Sequence, residues 1–132
     1  MFDILTYEKG ASVLRMLEQY LGAEAFRDGI RLYLRRHAYA NAETTDLWDA
    51  LEESTKEPVR ALMDTWIFQA GYPLISVEKG PRGLRLNQQM FRYLQDDSDQ
   101  ERKWHVPIFL RAGTKTSVIE KTILLADGQQ SV

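Results

Sequence analysis

The sequence predicts an α+β chain, with an N-terminal bundle of about four helices over residues 1–73 and a small antiparallel sheet, a partial β-sandwich, over 74–132. Three observations carry this. Apolar residues recur every three or four positions as far as Ile67, then every second position from Leu74. The change falls at Gly71 and Pro73, residues that stop a helix and favour extended chain before the proline. At 44% apolar and 11% aromatic, the 132 residues have the material for a buried core.

The first helix spans 7–21. Ala11, Leu14, Leu17 and Leu21 form its stripe, Val13 and Tyr20 widen it, and Gly22 stands just past its end. Gly10 is costly there, by about 1 kcal/mol relative to alanine in a helix interior. Either close packing or an approach to the backbone accounts for it. A second helix over 23–36 turns Phe26, Ile30, Tyr33 and Leu34 to one side. Arg31, Arg35 and Arg36 crowd its C-terminal half, where cations complement the helix dipole. The ordinary reading of that arginine run is a solvated face rather than an anion site.

Thr44-Thr45-Asp46 reads as an N-cap and acidic first turn for a third helix through Leu47, Trp48 and Leu51, ending near Ser54. Pro58 suits the first position of a fourth, whose inner stripe is Val59, Leu62, Met63, Trp66 and Ile67. Both tryptophans read as core. Beyond Pro73, residues 74–77 and 84–90 are strands separated by a turn-rich segment, Lys79 to Gly83. Trp104, Val106, Ile108 and Leu110 alternate most cleanly, and a further strand covers 117–125. A polar tail closes the chain at Val132. Asp96 to Glu101 is acidic but lacks the glycine and distal glutamate of a calcium loop, so it reads as an exposed hairpin tip.

Composition excludes several classes of function. A net charge of −2 offers no field for a nucleic-acid backbone. No apolar run reaches the ~18 residues of a membrane span. With no cysteine there is no disulfide framework, thiolate site or cysteine nucleophile, which fits a reducing compartment such as the cytoplasm. His37 and His105 lie too far apart to form a zinc pair at helical spacing.

One segment carries chemistry. Tyr7-Glu8-Lys9-Gly10-Ala11, followed by Val13 to Leu17, resembles the tyrosine-bearing helix of the zinc aminopeptidases of the aminopeptidase N and leukotriene hydrolase family, a branch of the gluzincins. The likeness continues in order through Leu21-Gly22, Phe26, Gly29-Ile30, Tyr33-Leu34, Tyr39, Asn41-Ala42, Thr44, Asp46-Leu47-Trp48, Leu51, Met63 to Trp66 and Gln69 to Pro73. After Pro73 it thins to Leu84, Leu86, Gln88 and Trp104 to Pro107. Met90 stands before Phe91 where the family often has arginine. The resemblance implies that 1–73 is the helical C-terminal part of a thermolysin-like catalytic domain and that 74–132 begins the β-sandwich after it. It further implies zinc in the parent enzyme and peptide substrates that lose their N-terminal residues.

It implies a role for Tyr7 as well. In the family the matching tyrosine donates its hydroxyl to the oxyanion formed when zinc-bound water attacks the scissile carbonyl. A phenol suits that task, since it keeps its proton at neutral pH and is a fixed donor. A donor aimed at developing charge stabilises the transition state more than the substrate. Read without the resemblance, Tyr7 is an aromatic lid on a helix start. Glu8, Lys9, Arg15, Arg31 and His37 read as structural. The family's HExxH ligand set and GxMEN substrate loop do not occur in these residues. They are expected upstream of Met1, so the chain reads as a piece that holds no zinc and hydrolyses nothing alone. Loss of its cover should expose apolar helix surface and promote self-association. The competing readings are a non-catalytic α+β interaction module and a dead homologue with substituted zinc ligands.

Overall fold

Among the described residues, four helices and five strands form close to where the two periodicities place them. The computed structural model describes residues 4–81, 83–93, 102–113 and 116–132. The helices are α1 (Ile4–Leu21), α2 (Ala23–Arg36), α3 (Thr44–Thr55) and α4 (Val59–Ile67). The strands are β1 (Pro73–Gly80), β2 (Gly83–Met90), β3 (Val106–Gly113), β4 (Val118–Leu125) and β5 (Gln129–Ser131). The chain divides into two compact units, Met1–Met63 and Asp64–Val132, with the division inside α4.

In the first unit α1 packs on α2 and α2 on α3. Val13, Leu17, Trp48, Ala50, Leu51, Val59, Leu62 and Met63 are buried. Gly22 separates α1 from α2 with φ +85°, a conformation side-chain-bearing residues rarely adopt. Gly29 serves a different need, because a Cβ there would meet the Leu51 Cα at 3.1 Å. Its bare backbone is what lets α2 and α3 approach.

The α1 stripe differs from the expectation. The buried positions are Val13 and Leu17, while Ala11 is exposed and Leu14 is 38% exposed. Helix α1 is apolar around much of its circumference, so periodicity shows two candidate faces and packing on α2 selects one. Ile67, expected on the inner stripe of α4, is likewise exposed.

Two helix starts also shift by a residue. The N-cap of α3 is Glu43 rather than Thr44, and the Glu43 N–H donates to the Asp46 carboxylate at 2.8 Å. Pro58 precedes α4 rather than opening it, and its carbonyl accepts the first α4 bond, from Leu62 N–H at 3.1 Å. The arginines behave as a solvated face. Arg31 pairs with Asp28, and Arg36 reaches both oxygens of Glu53 at 2.8 Å.

Among its described residues, the second unit holds two antiparallel sheets. One has the order β1-β2-β5, with Val77 opposite Leu86 and Leu86 opposite Gln130. The other is the β3-β4 hairpin, with Val106 opposite Leu125. The segment expected to be a polar tail is therefore β5, paired along β2. Leu86, Trp104 and Leu125 are fully buried, and Gln88 is buried among them. The acidic segment 96–101, expected to be a hairpin tip, lies outside the described residues, as do residues 114–115.

Candidate active site

Helix α1 forms because Ala11, Val13, Leu14, Met16 and Leu17 are good or tolerable helix residues with a buried face at Val13 and Leu17. That packing determines how Tyr7 is presented. Tyr7 lies near the N-terminal, positive end of the helix, where negative charge is stabilised. It is 62% exposed, so its ring is not part of the core. Ile4, Ala11 and Leu14 share its side of α1 at spacings of three and four, and all are exposed. Gly10 lies between Tyr7 and Leu14 on that surface. A Cβ built on Gly10 meets nothing within 4 Å. Close packing within the described chain is thereby removed as the reason for glycine at this position.

Glu8 and Lys9 are exposed neighbours of Tyr7 on the other sides of the helix. His37 caps the C-terminal end of α2, its ring 5.2 Å from that of Tyr33. His105 lies just ahead of β3. Its N–H donates to Thr65 Oγ1 at 3.1 Å, and its carbonyl accepts the Trp66 indole N–H at 2.8 Å. Among the described residues no group of three or more His, Asp or Glu side chains could hold a metal ion. No helix of the described chain is long and apolar enough to cross a membrane.

The order of the resembling residues along α1 to α4 now has an independent counterpart. The model of the Peptidase family M1 domain matches residues 1–66, which are α1, α2, α3 and most of α4. The chain belongs to peptidase family M1.

Its M1 relatives extend the likeness past the helices. The chain is 44% identical over 126 residues to the tricorn protease-interacting factor F2 of Thermoplasma volcanium, covering 94% of this chain and 16% of that protein. It is 47% identical over 113 residues to aminopeptidase M1 of Arabidopsis thaliana, covering 86% of this chain and 13% of the relative. It is 38% identical to the mitochondrial aminopeptidase 2 of Saccharomyces cerevisiae, over 99% of this chain and 14% of that one. The chain thus spans about a seventh of the length of these M1 relatives. The crystal structure of Legionella pneumophila aminopeptidase A in complex with aspartic acid matches 99% of the chain with a TM-score of 0.71. At 17% identity over 15% of that protein, it speaks for the fold alone.

The resemblance singles out Tyr7 through the residues around it. It does not reach the openness beside Gly10, since a glycine in a helical pattern carries no sign of what surrounds it.

Proposed function

We propose that these residues are part of a zinc-dependent aminopeptidase that removes N-terminal residues from peptides, with Tyr7 as the donor to the oxyanion. The observation that carries the reading is the exposure of Tyr7 near the positive end of α1, on the helix where the M1 match begins. A core tyrosine could not reach a substrate. An exposed phenol on a helix held by buried Val13 and Leu17 is a donor of fixed position. The aminopeptidase names of the M1 relatives support the substrate class.

In this reading the Tyr7 hydroxyl gives its hydrogen bond to the carbonyl oxygen as that oxygen gains negative charge. Charge grows on the oxygen only as the carbonyl is attacked, so the bond strengthens toward the transition state. In this reading zinc is held by protein outside the described residues, among which no group of three or more His, Asp or Glu could hold a metal ion. Residues 1–73 then belong with the catalytic domain, and 74–132 with a β-sandwich that follows. By themselves the 132 residues are expected to bind no stoichiometric zinc and to hydrolyse no aminoacyl substrate.

The test is Tyr7→Phe in the full-length enzyme. The expected result is a fall in kcat of about 10²–10³ with KM little changed. An unchanged kcat removes the donor role. A sequence upstream with substituted HExxH ligands would turn the reading into that of an inactive M1 homologue.

A further inference from the structure

Three helix-borne or helix-flanking glycines of the first unit can be compared for what they require. Gly22 needs its freedom for φ +85°. Gly29 needs the absence of a Cβ to pass Leu51. Gly10 has neither need. It sits inside α1, its φ is not positive, and the space a Cβ would occupy is open. Glycine is a poor helix former, so the position weakens α1 without any return within the described chain. What remains is an approach from outside.

The placement says where that approach falls. Tyr7, Gly10 and Leu14 are neighbours at i, i+3 and i+7 along one line of the helix surface. A bare position between two large side chains is a notch. Side chains on a helix lean toward its N-terminus, a direction that takes a residue at position 7 away from Gly10, whose own Cβ position is open. We propose that Gly10 is a positioning residue for the substrate, the notch that admits the main chain of a peptide whose scissile carbonyl oxygen is held by Tyr7. This rests on the donor role proposed for Tyr7. A methyl group at position 10 would lift the peptide away from α1, and a displacement of about 1 Å at a reacting carbonyl can cost up to about a hundredfold in rate.

The experiment compares Gly10→Ala with the unaltered full-length enzyme on two substrates, a tetrapeptide and an aminoacyl anilide. Melting temperature and bound zinc are measured alongside. The proposal expects kcat/KM on the tetrapeptide to fall by about tenfold or more, with a smaller fall on the anilide, at unchanged zinc content and no loss of melting temperature. Values within about twofold on both substrates overturn it. So does an equal loss on both, or a loss that comes with lower zinc content or melting temperature, because protein rather than substrate would then fill the notch. Tyr7→Phe, run in parallel, separates the two readings. If it cripples kcat while Gly10→Ala does nothing, the notch fails and the donor role stands.

Discussion

Gln88 holds Trp104 by both of that residue's backbone groups. The Trp104 N–H donates to Gln88 Oε1 at 3.0 Å, and Gln88 Nε2 donates to the Trp104 carbonyl at 3.0 Å. The same Nε2 also reaches the Asp127 carbonyl at 2.9 Å, while the Gln88 backbone N–H donates to Gly128 at 2.9 Å. A side-chain amide thus imitates a strand's main chain where no strand lies, tying β2 to the segment before β3 and to the turn before β5. Buried polar groups need such partners, and this residue supplies three at once.

Replacing Gln88 with leucine keeps the volume close and removes every one of these side-chain bonds. Each buried group left unpaired costs roughly 1–3 kcal/mol, so a loss on the order of 3 kcal/mol is expected. Urea unfolding followed by tryptophan fluorescence measures it. A midpoint close to that of the unaltered chain would mean that the amide is not what secures Trp104.

Gly29→Ala tests the α2–α3 approach. Alanine is the better helix former by about 1 kcal/mol, so on propensity alone the substitution stabilises. The new Cβ would lie 3.1 Å from the Leu51 Cα, a backbone atom that cannot step aside. Overpacking of that kind costs typically about 1–3 kcal/mol, so a net loss of stability is expected at unchanged denaturant slope. Gly10→Ala in the same 132-residue chain is expected to change stability in the opposite direction, since nothing stands in its way. The pair separates clearance from propensity.

How much of this was legible beforehand depends on the residue. The helices and strands are visible because the apolar spacing changes where the backbone does, and Gln88 falls on the inward side of an alternating strand. Its partner Trp104 is not visible, because a bond between residues 88 and 104 has no local trace. Strand β5 is hidden for a similar reason. Gln129, Gln130 and Ser131 have no β pattern, and the open edge of β2 makes them a strand. On α1 both Leu14 and Val13 fit a helical stripe, and the sequence does not say which side meets α2. Threonine is the commoner capping residue, but the Glu43 N–H that donates to the Asp46 carboxylate makes Glu43 the cap. The role proposed for Tyr7 came from the company it keeps in sequence, and the composition carries no trace of it.

Tyr20 provides a pH test of the helical unit. Its hydroxyl donates to Glu57 at 2.8 Å. Burial first, then the hydrogen bond and the negative charge of Glu57, push its pKa from 10.0 up to about 12. Because the folded-state value lies above the unfolded one, this contribution to stability is fully present below about pH 10 and is lost as pH rises through about 12. Tyrosinate absorbance should show a late-ionising contribution that is lost in Tyr20→Phe and moves to lower pH in Glu57→Gln. Stability profiles of the parent and Tyr20→Phe should converge at the alkaline end. A titration indistinguishable between the parent and Tyr20→Phe would count against the contact.

The last prediction concerns the exposed side of α1. Ile4 is 78% exposed, Tyr7 62% and Leu14 38%, and with Ala11 they make a continuous apolar arc on the helix. In the 132-residue chain such a surface lowers its free energy by pairing with another like itself, at roughly 25 cal/mol per Å² of apolar area removed from water. Self-association is therefore expected, and light scattering across a micromolar to millimolar series reads it directly. Leu14→Lys places a charge in the middle of the arc, away from the buried Val13 and Leu17, and should shift the chain toward monomer with little change in unfolding midpoint. If the unaltered chain stays monomeric throughout the series, the arc is not sticky enough to drive pairing. If it associates and Leu14→Lys leaves that association intact, the contact lies elsewhere, and the exposed apolar residues of the β3-β4 hairpin, Phe109, Val118 and Ile119, become the next surface to charge.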